Sequence, residues 1–352
     1  MKKMIKVLIY AIIVLLVLIL GYICFMIVTD YKPEPIEKVN IDNNREKTVE
    51  LNKEYTLTTF NIGYAGMDKN VDFFMDGGKM SRAISEESVK ANLNGIEDIM
   101  KEKNSDFYFL QEIDKKASRS FNVNEVESVN NNFKDYSNSF AKNFDVKWVP
   151  LPITHPHGRV LSGIMTLSKY SFNSADRYDL PGKESYFRQL GDLDRCMLVN
   201  REKLENGKEF VLINVHLSAF DKGGKVRKVQ LAFIKKFVLE EYNKGNYVIL
   251  GGDFNNQLPG TDAFNFKTTE GLPDWIQKLP EDFTPKGFSI YADKFTPSNR
   301  TVEKPYVDGE NLKSVIDGFL VSDNIKVKSI RGKDYNFKYS DHNPTTLTFE
   351  LK

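Results

Sequence analysis

At six places in the sequence an apolar run ends on residues able to bind a metal ion or move a proton. Asn61 follows TLTTF, and Gln111-Glu112 follow DFYFL. Asn214 and His216 punctuate VLINVHL, and Asp253 and Asn255 follow VILGG. Asp317 interrupts SVIDGFLV, and Asp341-His342 stand just before Asn343-Pro344 and a final apolar run. One such residue means little, because Asn and carboxylates commonly cap strands and make turns. Asn61 taken alone reads as a turn residue, and Asp253-Phe254-Asn255 as an Asx-type turn after a Gly-Gly break. Together the six supply hard oxygen donors and two imidazoles. That set suits a Mg²⁺-type ion, which prefers oxygen and keeps waters for a substrate phosphate. A carboxylate such as Glu112, directly after a buried strand, is costly unless it is paired or used.

The elements that must position these residues follow from periodicity. Residues 55–62 alternate as a strand, 106–110 read as a buried strand, and 163–167, 197–200, 210–215, 247–250, 314–321 and 345–351 are further strands. Residues 86–103 carry Val89, Leu93, Ile96 and Met100 at helical spacing. Residues 225–242 form a second amphipathic helix, apolar at Val229, Ala232, Phe233, Phe237 and Val238, whose lysines and Arg227 read as a solvated face. Short strands interleaved with a few helices, without an internal repeat or a linker-like break, predict one layered α/β or α+β domain over 55–352.

FNIG at 60–63, LQE at 110–112, NVHL at 214–217, GGDFN at 251–255, ID at 316–317 and SDHNP at 340–344 occur in that order. In this the chain resembles the endonuclease/exonuclease/phosphatase superfamily, which includes deoxyribonucleases, repair exonucleases, inositol polyphosphate phosphatases and neutral sphingomyelinases. The resemblance implies a four-layer α/β sandwich, two central mixed β-sheets flanked by helices, with the site at one end. It implies Glu112 as principal metal ligand with Asn61 as its partner, and Asp341 as a further ligand or charge-relay neighbour. Asp253 would orient or deprotonate the attacking water, and Asn255 would hold that water or a phosphate oxygen. His342 would sit on the scissile phosphate, with Asp317 fixing its tautomer. His216 matches the second histidine of the deoxyribonuclease and sphingomyelinase branches, and abasic-site endonucleases typically lack it. Asn214 and Arg195 are candidate substrate-binding residues, Arg195 as a phosphate clamp or else as a surface ion pair. The implied cofactor is Mg²⁺, with Mn²⁺ as the alternative.

Other residues have plainer readings. His155 and His157, in THPHG, read as exposed loop residues, or else as part of the substrate entrance. Cys196 reads as a small core residue. The long segment 64–82, with Phe73-Phe74-Met75, is a substrate lid, a membrane-contacting flap or a packed Ω-loop.

Residues 7–28 form an uncharged apolar run that would span about 33 Å as a helix, enough to cross a hydrocarbon core. Lys2, Lys3 and Lys6 precede it and Asp30 follows, so the positive-inside rule puts the amino terminus in the cytoplasm and the rest outside. A signal-peptide core is usually shorter and is followed by small residues, so a single-pass anchor at 1–30 is the expected form. Residues 31–54, polar and with Pro33 and Pro35, read as a tether.

Composition narrows the rest. With 41% hydrophobic and 12% aromatic residues the chain can build a core, which excludes a disordered protein. Two cysteines exclude a disulfide scaffold and a cysteine-based zinc site. With 49 basic against 48 acidic residues, three of the basic ones before the apolar run, the remainder is about neutral and does not read as a strongly basic nucleic-acid binder. The expectation is a membrane-anchored extracytoplasmic phosphoester hydrolase, either a phosphodiesterase or a phosphatase, acting on a lipid-linked or small phosphate. The alternatives are a surface nuclease acting on DNA or RNA and a non-catalytic module that kept the fold. The expected partners are the phosphoester substrate and the membrane, with no obligate protein partner.

Overall fold

The structure is a computed structural model that describes residues 1–183, 185–219 and 221–352. Two seven-stranded mixed sheets stack face to face. In order across the first run Ile36–Lys38, Ser174–Asp179, Cys196–Lys203, Glu209–His216, Tyr247–Asp253, Asp317–Ser322 and Phe288–Tyr291. The second runs Ile325–Gly332, Thr345–Leu351, Glu54–Asn61, Phe107–Asp114, Gly158–Ser168, Ser137–Val149 and Ile41–Asp42. The expected layered sandwich is present.

Strand alternation builds the layers. Tyr55, Leu57, Phe107 and Phe109 of the second sheet meet Phe210, Leu212, Ile249 and Phe319 of the first in one core between the sheets. The intervening residues Phe60, Tyr108 and Leu110 face outward onto Val89, Leu93 and Ile96 of the Glu86–Lys103 helix. Val211, Ile213, Val248 and Leu250 likewise face Leu231, Ile234 and Val238 of the Lys225–Asn243 helix. Each fully buried Leu or Phe contributes about 1.5–3 kcal/mol, and Phe107→Ala would cost about 3–5 kcal/mol. The Glu86–Lys103 helix starts on a reciprocal Ser85–Ser88 cap and ends at Asn104 in the left-handed region.

Several elements differ from the sequence reading. The 314–321 run is split: Lys313–Ser314 pairs with Asn299–Arg300, and Asp317–Ser322 joins the first sheet. The strands Ser137–Val149, Ser174–Asp179 and Ile325–Gly332 were not expected, because they are rich in polar and charged residues and hold no apolar run that stands out in the sequence. On the Lys225–Asn243 helix Val229 is exposed, while Arg227 is fully buried, donating to the carbonyls of Ser218 and Trp275 at 2.7 and 2.6 Å. The solvated-face reading fails for Arg227 because two loop carbonyls supply acceptors inside the fold.

Residues 31–54 contribute an edge strand to each sheet, with Ile36 opposite Tyr178 and Ile41 opposite Ser139. They lie along the domain rather than stretching away from it. The Lys2–Thr29 helix is long and apolar enough to cross a membrane, and is equally compatible by composition with a signal sequence. Most of it is exposed. Its last turns touch the domain, where Met26 packs against Phe144 and Leu190 and the Tyr22 hydroxyl donates to the Trp148 carbonyl at 3.0 Å.

Candidate active site

The polar residues that close the apolar runs converge at one end of the sandwich because of strand direction. Glu54–Asn61 and Phe107–Asp114 are parallel, so Asn61 and Gln111 end side by side. Glu209–His216 and Tyr247–Asp253 are parallel too, so His216 ends opposite Asp253. Asp317–Ser322 runs antiparallel on the other side, so its first residue, Asp317, also lies opposite Asp253. Asp341 and His342 enter from the loop before the last strand, His342 bridging to Asn299.

Local backbone distortions aim the side chains. The ladder between Phe107–Asp114 and Gly158–Ser168 slips between Leu110 and Ile113, and Glu112 in that bulge has φ 51°. A bulge that holds a non-glycine residue in the left-handed region stores strain to redirect one side chain. Gly252, at φ 141°, leaves no room for a side chain: a Cβ there would sit 1.9 Å from the Val215 carbonyl oxygen. The close strand approach that brings Asp253 to His216 therefore requires glycine.

Asp253 stands at the centre. Its Oδ2 accepts from Asn61 Nδ2 at 3.1 Å and lies 3.5 Å from His216 Nε2 and 3.7 Å from His342 Nε2. Burial, reinforced by the charge of Asp317, pushes its carboxyl up to about 7, against the pull of His342. His342 Nδ1 lies 2.9 Å from Asp317 Oδ2, and both side chains are buried. Burial alone would lower this imidazole, but Asp317, Asp253 and Asp341 outweigh it and raise it to about 10, so it is protonated at neutral pH. Its Nε2 lies 3.1 Å from the Asn299 amide nitrogen.

His216 is the opposite case. Burial, with Arg195, His342 and Arg119 close by, holds it far below the usual histidine range, so it is neutral, and its buried Nδ1 has no hydrogen-bond partner among the described residues. Asn255 donates its amide nitrogen to the Leu217 carbonyl at 2.9 Å and receives φ 49° from the turn after Asp253. Its amide oxygen is thereby the group offered to the cleft. An acceptor suits the attacking water rather than a phosphate oxygen.

Arg195 is buried beside His216, its Nη1 donating to the His216 carbonyl at 3.4 Å, so it is no surface ion pair. Asn214 does not face the cleft. Its Oδ1 accepts from Gln111 at 2.8 Å, and its Nδ2 donates to the Leu110 and Met165 carbonyls at 3.2 and 3.0 Å. It ties the two sheets together, and the expected substrate contact is replaced by a structural one. His157 is buried rather than exposed. Its Nδ1 donates to the Ser81 carbonyl at 2.8 Å, and burial, with Arg119 nearby, lowers it to about 4. Cys196 is fully buried, as a core residue. Segment 64–82 is packed at its start, where Tyr64, Met67 and Val71 form a small cluster with Val302, while Phe73 and Phe74 line a cavity.

Two cleft residues escaped the sequence reading. Arg119 holds Asp114 with two bonds of 2.9 and 3.1 Å, approaches Glu112 Oε2 at 3.9 Å and lies 3.8 Å over the Tyr64 ring. Asn299 sits in a two-residue strand with no periodicity to reveal it. No motif marked either.

A profile of the endonuclease/exonuclease/phosphatase family matches residues 59–342. The chain belongs to this family. Its members are usually hydrolases of phosphoester bonds and generally use a divalent metal ion. No curated protein matches the sequence. Among solved structures, a Beutenbergia cavernae endonuclease/exonuclease/phosphatase is 17% identical, with a TM-score of 0.56 over 85% of this chain and 72% of that one. A Bacteroides vulgatus member is 16% identical, with a TM-score of 0.54 over 85% of this chain and 100% of that one. The human Nocturnin catalytic domain with bound sulfate is 14% identical, with a TM-score of 0.51 over 89% of this chain and 97% of that one. At these identities the likeness is one of fold.

The donor set fits a hard cation. Glu112 and Asp341 offer carboxylate oxygens, Asn61 holds Glu112 Oε1 with its amide nitrogen at 3.2 Å, and Asp341 is raised by burial, with Glu112 adding to the rise. Crowded carboxylates of this kind gain from a divalent ion. Asp253, Asp317 and His342 also bring ligand atoms within 4.8 Å of one another. In the geometry seen, His342 Nδ1 is hydrogen-bonded to Asp317 Oδ2, so these three also form a group able to hold and move a proton.

Proposed function

We propose that the protein is a membrane-anchored, extracytoplasmic phosphoester hydrolase, dependent on Mg²⁺ or Mn²⁺, acting on a lipid-linked or small phosphate. The observation that carries the proposal is Asp253, flanked by neutral His216 on one side and the protonated His342–Asp317 pair on the other. A bound divalent ion, held by Glu112, Asn61 and Asp341, would stabilise negative charge on the phosphoryl oxygens.

The chain's own residues supply the remainder. Asp253 accepts the proton of the attacking water, which the Asn255 amide oxygen orients. His342 donates Nε2–H to a non-bridging oxygen, where charge grows in the transition state. Asp317 keeps that imidazole charged and aimed. His216, neutral in the free protein, gains proton affinity when an anionic phosphate lies against it, and can then donate to the leaving oxygen. Arg195 and Arg119 add positive potential beside it.

The test is a substrate panel with the full-length protein: duplex DNA, RNA, sphingomyelin, phosphatidylinositol phosphates and soluble inositol phosphates, each with and without EDTA. EDTA-sensitive hydrolysis that is lost in Asp253→Ala, with the thermal melt retained, is expected. EDTA-insensitive hydrolysis would sink the metal-dependent reading, and preference for nucleic acid would move it to the nuclease that His216 keeps open. Inactivity on every phosphoester would favour a binding module.

A further inference from the structure

Beside the catalytic cleft lies a cavity of about 630 Å³, within the roughly 300–1,000 Å³ of small-molecule sites. The two spaces adjoin, since Phe73, Glu112, Arg119 and His216 line both. Away from the cleft the wall is mostly apolar, with the Arg188–Asp192 ion pair as its charged exception, and is assembled from distant parts of the chain. Tyr22 and Met26 come from the end of the Lys2–Thr29 helix, Phe144 and Val149 from the Ser137–Val149 strand, and Leu190 from the approach to Arg195. Met26, Phe144 and Leu190 belong to one buried cluster. Leu151 lines the cavity at 54% exposure, and the same segment exposes Trp148 and Ile153, Ile153 at 85%. Tyr22 is bonded to the Trp148 carbonyl, which ties this apolar edge to the helix.

Arg119, Arg188 and Arg195 also line the cavity and could meet a phosphate of any kind, but a nucleic-acid backbone, which needs cations along its path, has no use for the apolar side. Contiguous exposed apolar surface beside an apolar helix marks contact with a membrane or an apolar ligand. The exposed length of the helix ends where the cavity begins, so a helix lying in a bilayer would hold the cavity mouth at the lipid surface.

We infer that this cavity holds the hydrocarbon tail of a membrane amphiphile whose phosphoester lies in the catalytic cleft. The inference rests on the hydrolase reading above and narrows it to lipid-type substrates. The tail enters past Leu151 and Met26, and the phosphate reaches Glu112 and His216.

The experiment is calorimetric binding of methyl-, butyl- and octylphosphonate to the full-length protein in phosphatidylcholine nanodiscs, with empty nanodiscs subtracted. Each methylene carried into the cavity multiplies affinity about fourfold, so octylphosphonate should bind at least tenfold tighter than butylphosphonate. Leu190→Asp and, separately, Phe74→Asp should flatten that slope. Phe74 is half-buried on a loop, so its variant remains informative should the Leu190 variant fail to fold. Equal affinity for butyl- and octylphosphonate would overturn the inference, as would a slope that survives in the folded variants. A chain-length slope without turnover of any phosphoester in the panel would remove the hydrolase reading and leave the tail site standing. Turnover without a slope would do the reverse.

Discussion

Asp317→Asn removes one charge and leaves the shape of the site almost unchanged. In the native protein Asp317 Oδ2 lies 2.9 Å from His342 Nδ1, with both side chains buried. A charge-assisted hydrogen bond of this kind contributes about 1.5–3 kcal/mol. At about 1.4 kcal/mol per pKa unit, losing it brings the His342 imidazole down from about 10 by roughly one to two units. Asp317 is also, after burial, the largest reason that Asp253 is raised to about 7. Its neutralisation therefore lowers Asp253 as well. The sign is the same for both groups, although one is a base and the other an acid. In a profile of kcat/KM against pH, the acid limb is set by deprotonation of Asp253 and the alkaline limb by loss of the His342 proton. Both should move toward acid in the variant. At neutral pH the lost transition-state interaction should lower kcat/KM about 10- to 100-fold. The assay is hydrolysis of a water-soluble phosphodiester at saturating Mg²⁺. A titration of ¹⁵N-labelled His342 by NMR follows the imidazole directly. A divalent ion lowers both midpoints in wild type and variant alike, so the difference between the two proteins carries the test. Limbs that move apart, or an alkaline limb that stays in place, would refute the pairing.

Asn214→Ala should cost about 2–3 kcal/mol, because it breaks the inter-sheet bonds to Gln111, Leu110 and Met165. Urea denaturation measures this, and loss of turnover in the folded fraction would return Asn214 to the cleft. Glu202, buried and bonded to the Val49 amide, is raised by burial from 4.5 to about 7. The folded protein holds that proton more tightly than the unfolded chain, so its contribution is complete below pH 4.5 and is lost as pH rises to about 7. The loss is about 3 kcal/mol. Glu202→Gln should flatten the stability profile over that window, and a parallel profile would refute the assignment. Protein extracted from membranes should retain residues 2–29, as measured by intact mass. A mature chain beginning after Thr29 would make that helix a signal sequence.

Asn61, Glu112, Asp253 and Asp341-His342 were legible because polar residues bordering an apolar run, after it or before it, are visible against that run. What those residues do to one another was not legible. His157 lies between a proline and a glycine and reads as exposed, yet the Ser81 carbonyl draws it inside. Arg227 sits among lysines on a helix and reads as solvated, yet the carbonyls of Ser218 and Trp275 bury it. Both outcomes were decided by acceptors on loops far away in the chain, which no local pattern encodes. Met26 and Leu190 meet across 164 positions for the same reason. The central triad makes the point most sharply. His216 and Asp317 are brought to Asp253 because its strand has a parallel neighbour on one side and an antiparallel one on the other. The end of one neighbour and the beginning of the other then fall at the same edge. Reversing either strand would carry its residue to the opposite end of the sheet, some 20 Å away at about 3.3 Å per residue. The reactive geometry is thus a property of strand direction, and composition or spacing along the chain could indicate only which residues were available to it.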